Sequence, residues 1–330
     1  MRNKHLFLFL AAALLISCAK EDVKSTSLQS ENIKGMVKSI TISHYCAEIS
    51  SGKVLKKEYM YSPVFGMSLG KEYNREPEVY NTIGSIATLY FDKKGYLDSV
   101  LIYDKNKKLM SKSEYKEYGK PLKSIRFRGE DIESETEYQY NGICLSESVY
   151  KDKWGTSITK YKTNPNGIIE EAIKYDDEGY IRWKEENTIE NGKIVKTIYY
   201  PGEFLHPELL EDPEEYDDDE AMPTITEYTY NGEVLASVKR THGDDITEYF
   251  LNEYGYLIKL ESNKVSTYQY HYNSNNDLEM SGSGNLYDFD GNRTIFHFTY
   301  EYDDHNNWIK RIGYSGKKPI QLDEREIEYY

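Results

Sequence analysis

The sequence has few cysteines and tryptophans, and its basic residues do not outnumber its acidic ones. It has 3 Cys and 3 Trp among 330 residues, with no CxxC motif and no cluster of cysteine with histidine. A structural metal site needs such a cluster, so no metal and no cofactor is predicted. Acidic residues number 56 against 41 basic ones, a net charge of −15. Such a chain lacks the cationic surface that phosphate backbones require, so nucleic acid is not an expected partner.

Tyrosine supplies most of the aromatic side chains. The chain has 33 Tyr against 10 Phe. A ring with a polar tip suits a half-buried sheet face better than a deep apolar interior. The composition therefore favours an all-β protein.

The N-terminus has the pattern of a secretion signal. Two basic residues precede an apolar run from Leu6 to Ile16, which is too short to span a bilayer. The run ends in Leu15-Ile16-Ser17-Cys18, which resembles the lipobox of bacterial lipoproteins. The resemblance implies that residues 1–17 are a signal peptide and that Cys18 carries lipid, which would attach the chain to a membrane.

The residues after Cys18 indicate where the chain is held. Removing residues 1–17 deletes two basic and no acidic residues and leaves a net charge of −17. Ala19-Lys20-Glu21-Asp22 resembles the export tag of surface lipoproteins in one group of Gram-negative bacteria. The resemblance implies the outer membrane and is compatible with exposure at the cell surface. Residues 18–33 are rich in Ser, Lys and Glu and are expected to form a flexible tether.

One turn pattern recurs from residue 90 onward. An aromatic residue is followed by Asp or Asn, two variable residues, a Gly or other turn former, one residue and a hydrophobe, as in 91–97, 175–181 and, with Leu first, 251–257. The Asp or Asn side chain accepts hydrogen bonds that start the turn, and Gly adopts the positive φ. Tyr140-Asn141-Gly142 and Tyr230-Asn231-Gly232 carry a tighter Asn-Gly signal, which is typical of β-hairpins.

The segments between the turns alternate as strands do, for example in 133–140 and 295–302. Connections this short leave no room for parallel crossovers. We therefore predict an all-β domain over 34–330, an antiparallel meander of repeated β-hairpins in an open or curled sheet. Because the face opposite the rings carries Glu, Lys and Gln, a transmembrane barrel is not predicted. Loop insertions are expected near 61–83 and 201–223.

The repeated turn, continued from Tyr302 to Ile309, resembles the YD repeats of RHS proteins. The likeness spans residues 86–330. It implies hairpins that wind into shells around a toxin or form extended interaction surfaces. This chain is too short for such a shell and has no added toxin domain, which leaves an adhesive or binding role.

Two segments resemble sites of known chemistry. Residues 66–70 match G-x-S-x-G, and Ser68 with Lys71 matches S-x-x-K. Both motifs need a helix that starts at the serine, but glycine and proline bracket this one, so Ser68 is interpreted as a loop residue and no catalytic residue is predicted. Residues 211–220 hold eight carboxylates. A solvated insertion is expected there, because the alternative, a calcium site, lacks the spacing of an EF-hand loop.

Cys46 and Cys144 allow two interpretations. In an oxidising envelope they could form a disulfide, but the sequence does not show that their Cα atoms come close enough. The alternative is two small buried side chains.

Trp154 is the predicted ligand-binding residue. It sits in a turn beside Gly155, where a ring could stack on a sugar or contact a partner. Trp183 and Trp308 begin strands and are expected to pack on the sheet. The leading hypothesis is a lipid-anchored, non-enzymatic module that binds a protein or a glycan. The alternatives are an acidic inhibitor or immunity protein directed at a basic enzyme or toxin, and a hydrolase of polysaccharide or peptide.

Overall fold

The computed structural model describes residues 27, 32–59, 62–63, 83–84, 86–205, 222–263, 267–283 and 295–330. These residues are nearly all in strands. Strands β1 to β12 are Val37–Ser50, Lys53–Tyr59, Ser62–Pro63, Ile83–Gly84, Ile86–Phe91, Leu97–Tyr103, Leu109–Lys116, Lys120–Arg128, Asp131–Asn141, Cys144–Asp152, Gly155–Thr163 and Ile169–Tyr175. Strands β13 to β23 are Ile181–Glu190, Lys193–Pro201, Thr224–Asn231, Val234–His242, Asp245–Leu251, Leu257–Ser262, Tyr268–Tyr272, Leu278–Ser283, Ile295–Tyr302, Trp308–Ser315 and Lys318–Tyr329. A short helix, α1 (Gly202–Leu205), follows β14, and a 3-10 turn, Glu117–Gly119, precedes β8.

The described residues divide into two units. Unit 1 contains Thr136–Tyr228 and Arg240–Asp245, and unit 2 contains Ser25–Glu135, Thr229–Lys239 and Ile246–Tyr330. In unit 1, each of β10 to β14 pairs antiparallel with the next strand.

Unit 2 holds the main apolar core. Ile40 and Ile42 of β1 lie opposite Leu89 and Ala87 of β5. Residues directly opposite each other on paired strands share a face, so the buried set continues across β6. The cluster consists of Ile33, Val37, Ile40, Ile42, Ala87, Leu89, Phe91, Leu97, Val100, Ile102, Tyr115 and Trp308.

β1 has partners on both of its sides. Residues 39–43 pair with β5, and residues 37–46 pair with β23. Beyond β5, residues 45–50 pair with β2. Of the described strands, 21 belong to one sheet. Because β1 joins the last strand to the series that begins at β5, the strand order closes on itself.

The predictions of all-β structure and antiparallel pairing are confirmed. The prediction of an open or curled sheet is wrong, because β1 joins the last strand, β23, to the series that begins at β5. Alternation shows which face of a strand is buried, but it does not identify the neighbouring strand. The partners of β1 are set by packing of Ile40 and Ile42 between β5 and β23, which the local pattern does not reveal.

The predicted turn geometry is confirmed residue by residue. The Asp92 carboxylate accepts hydrogen bonds from the backbone N–H of Lys94 at 2.8 Å and of Tyr96 at 2.9 Å. Gly95 follows with a φ of 86°, which glycine adopts without steric cost. The same two bonds form at Asp104, Asn164, Asp176, Asn252, Asn273 and Asp303.

Several predictions fall outside the described residues. The signal peptide, Cys18, Ser68, Lys71 and residues 211–220 all do. At the ends of the loop expected over 61–83, the short strands β3 and β4 pair with each other. At the end of the expected tether, the side chain of Ile33 is buried. Cys46 is a free thiol and forms no disulfide with Cys144, which is a buried side chain of β10.

Candidate binding site

Three exposed aromatic side chains lie at one end of unit 1. Trp154 is in the turn between β10 and β11, Tyr180 is in the turn between β12 and β13, and Phe204 is in α1 after β14. Successive antiparallel strands reverse direction, so every second connection lies at the same end of the sheet. The three side chains are 81%, 47% and 48% exposed, respectively. We call them the aromatic edge.

The Trp154 turn is held by one carboxylate. Asp152 accepts hydrogen bonds from the backbone N–H of Trp154 at 2.7 Å and of Gly155 at 3.1 Å, and the Tyr150 hydroxyl donates to it at 3.0 Å. The bond from Trp154 outweighs burial and, with the others, lowers the pKa of Asp152. The Lys153 ammonium lies 4.4 Å from the Trp154 ring centroid. The indole is therefore fixed at its base, with a cation over its ring.

The Tyr180 turn has the same construction. Asp176 accepts hydrogen bonds from the backbone N–H of Glu178 at 3.0 Å and of Tyr180 at 2.8 Å. Its second oxygen lies 3.0 Å from Nε of Arg182. One carboxylate thus fixes the turn and also holds the Arg182 guanidinium.

Neighbouring connections of the aromatic edge approach each other closely. A Cβ added to Gly155 would lie 3.0 Å from the Asp177 carboxylate, and one added to Gly202 would lie 2.7 Å from the carbonyl oxygen of Arg182. Only glycine lets α1 come this close to β13 without a shift. The Phe204 ring in turn lies 5.8 Å from that of Tyr200, centroid to centroid.

The predicted exposure of Trp154 is confirmed; its role as a ligand-binding residue stays a prediction. Tyr180 and Phe204 were not predicted from the sequence. Tyr180 occupies the same position in its turn as Tyr256, whose side chain is only 7% exposed. The turn motif therefore gives no signal that separates an exposed ring from a buried one.

The other two tryptophans pack on the sheet, as predicted. The Trp183 ring lies 6.0 Å from that of Tyr199 on the neighbouring strand. Trp308 is buried in the core of unit 2.

Unit 2 contains a buried ionic cluster that was likewise not predicted from the sequence. Asp323 of β23 is fully buried and lies 2.7 Å from Nδ1 of His44 and 2.7 Å from Nε of Arg311. The Gln321 amide donates to both of its oxygens at 2.9 Å. Burial alone would raise the pKa of Asp323, but the Arg311 charge and the bonds from His44 and Gln321 lower it to about 2. These contacts tie β23 to both of its neighbours, β1 and β22.

Unit 1 also has an open cleft of about 480 Å³. It is lined by Lys162, Glu170, Glu171, Glu186, Asn187, Thr188, Ile189 and Ile198. Lys184 lies 2.7 Å from Glu186, and their hydrogen bond outweighs burial and lowers the pKa of Glu186. A general acid needs the opposite shift. Among the described residues, no group of three or more His, Cys, Asp or Glu side chains is placed to hold a metal ion.

Comparison with solved structures finds loose likenesses. A porin-like protein from Bacteroides uniformis is 9% identical, with 89% of this chain and 98% of that chain covered and a TM-score of 0.32. A porin-like protein from Bacteroides vulgatus is 12% identical, with coverages of 68% and 95% and a TM-score of 0.26. The TcdB2-TccC3 structure is 12% identical, with 76% of this chain but 15% of that chain covered and a TM-score of 0.36.

No protein-family model and no curated protein matches the chain. With no matching family model and with a closed strand order, the predicted membership of the YD-repeat family of RHS proteins is wrong. The turn motif is a local solution for joining two antiparallel strands, and any antiparallel fold can use it. None of the helices described here is both long and apolar enough to cross a membrane.

Proposed function

We propose that the protein is a lipid-anchored outer-membrane protein that acts by binding a glycan or a protein at the aromatic edge, without catalysis. The observation that carries the proposal is the exposure of Trp154 on a hydrogen-bonded turn, beside exposed Tyr180 and Phe204. Large rings fixed before binding lose little conformational entropy when a ligand covers them. Exposed aromatic side chains grouped in this way mark interaction sites in soluble domains.

The anchor in this proposal is Cys18. Two acyl signals at one terminus give stable attachment, because each buried methylene adds favourable transfer free energy. In cells that express the full chain, labelled palmitate should enter the protein, and the protein should sediment with the outer membrane. The Cys18→Ser variant should lose both properties. An unlabelled wild-type protein found free in the medium would contradict the anchor.

Binding at the aromatic edge is tested with the detergent-solubilised protein. We expect at least one probe on an array of immobilised glycans and envelope proteins to retain it. Trp154→Ala should weaken this retention, because it removes the most exposed ring of the edge. Tyr254→Ala is the matched control, since Tyr254 is an exposed ring (58%) on a turn of unit 2.

Two results would contradict the proposal. One is retention that Trp154→Ala leaves unchanged. The other is steady conductance of planar bilayers by the purified protein without retention of any probe, which would indicate a channel instead.

A further inference from the structure

We infer that the aromatic edge binds an extended, uncharged polysaccharide, with sugar rings stacked on Trp154, Tyr180 and Phe204. This rests on the proposed function and names the ligand class of the same site. The flat C–H faces of pyranose rings pack on aromatic faces, while their hydroxyl groups hydrogen-bond to polar neighbours. The edge supplies both kinds of contact.

The spacing of the three connections matches a polymer. Each connection is two strands away from the next, and neighbouring strands lie about 4.8 Å apart, so the connections repeat at about 10 Å. This is the length of a disaccharide in an extended β-linked chain. The rings come from three successive connections at one end, in the order Trp154, Tyr180, Phe204. A chain laid along the edge would therefore meet an aromatic side chain at every second sugar.

The surroundings of the rings favour an uncharged ligand. Arg182 is paired with Asp176 at 3.0 Å, and the Lys153 ammonium lies over the Trp154 ring. Asp177 and Glu178 are exposed in the Tyr180 turn. Charges of both signs thus lie close together and offer donors and acceptors for hydroxyl groups, but little net attraction for an ion. A polyanion would also be repelled by the net charge of the chain, which is −15.

Calorimetry with the detergent-solubilised protein tests the inference. The probes are neutral β-linked oligosaccharides of increasing length, a polyuronate and an oligolysine peptide. Affinity for the neutral series should rise up to about five sugars, the length that reaches all three rings at this spacing, and then level off. It should change little between low and high salt, because no net charge is neutralised.

Single substitutions distinguish a surface of three rings from one aromatic contact. Trp154→Ala, Tyr180→Ala and Phe204→Ala should each weaken binding of the longest oligosaccharide, roughly fivefold to tenfold, as expected for one lost ring contact. Tyr254→Ala should bind as the wild type does. Because all four rings are exposed, each variant should fold as the wild type does. Urea unfolding of each variant checks this.

The possible failures are distinguishable. If no neutral oligosaccharide binds but oligolysine or the polyuronate binds in a manner that depends on Trp154, an uncharged polysaccharide is the wrong ligand and the proposed binding function stands. An affinity that stops rising at two sugars would also overturn the inference, because one ring would then be enough. If no probe binds in a manner that depends on Trp154, and the envelope-protein array likewise shows none, both proposals fail.

Discussion

At the scale of single residues, the least expected feature is the buried carboxylate of Asp323. The alternating pattern predicts that acidic residues lie on the wet face of each strand. Asp323 instead faces the interior, where Arg311, His44 and Gln321 satisfy it. Its neighbour Glu324 points the other way and pairs with Lys56 near the surface. Alternation places these two neighbouring carboxylates on opposite faces of the sheet. Composition does not show which of the two is buried, because both are acidic and only the positions of their partners separate them.

The Asp323→Asn substitution should strongly destabilise the protein. Asparagine keeps the shape but removes the charge, which leaves Arg311 buried without its anionic partner. Breaking a buried ion pair in this way costs about 3–5 kcal/mol of unfolding free energy. Glu324→Gln is the matched control on the same strand, and it should cost less than about 1 kcal/mol, since its pair with Lys56 is partly exposed. Urea unfolding measures both, and equal costs would contradict the account of the cluster.

The same carboxylate should make stability depend on pH. Its pKa is about 2 in the folded protein, against 3.8 for an ordinary Asp. A lowered folded-state pKa stabilises the fold above the unfolded value, and that contribution is lost as the pH falls toward the folded value. The difference in unfolding free energy between wild type and Asp323→Asn should therefore be constant above about pH 5 and shrink between about pH 4 and pH 2. A difference that does not vary with pH would contradict this.

At the scale of elements, the turns follow from the sequence almost completely. An Asp or Asn that accepts two backbone hydrogen bonds and a residue with positive φ are both local properties, so a short segment determines them. Gly95, Gly179 and Gly255 occupy the positive-φ position, as the motif predicts. In another copy of the turn, between β6 and β7, the same position is held by Lys107 with a φ of 62°.

Lys107→Gly should stabilise the protein. A left-handed conformation costs a non-glycine residue roughly 1 kcal/mol, and glycine removes that cost at the price of some unfolded-state entropy. We expect a net gain of about 0.5 kcal/mol. Lys105→Gly in the same turn is the control, because Lys105 does not have a positive φ, and it should destabilise slightly. Thermal unfolding that ranks the two variants the other way would contradict the assignment of strain to Lys107.

The aromatic edge could be predicted only in part. Trp154 next to Gly155 marks an exposed ring from sequence, since both lie in a turn. Tyr180 and Phe204 join it because antiparallel strands bring alternate connections to one end and because Gly202 lets α1 approach β13. The number of strands that separate these connections could be predicted from the sequence. The exposure of Tyr180 and Phe204 could not be, because it depends on packing between neighbouring turns.

At the scale of the whole molecule, the pairing of β1 with both β5 and β23 could not be predicted from the sequence. The motif begins near residue 90, so residues 37–50 lie outside the repeated series. Ser39 pairs with Tyr90 on one side and with Glu328 on the other, and no local pattern links positions so far apart in the chain. Contacts of such long sequence separation are determined by burial of Ile40 and Ile42 and by the cluster around Asp323.

Amide hydrogen exchange in β1 tests this closure most directly. In an antiparallel sheet, successive N–H groups of a strand point alternately to its two neighbours. Residues 39–43 pair with both β5 and β23, so every amide from Ser39 to Ser43 should exchange slowly in the detergent-solubilised protein, as read residue by residue by NMR. Fast exchange at every second of these amides would show that one side of β1 is open, and the closed strand order would be wrong.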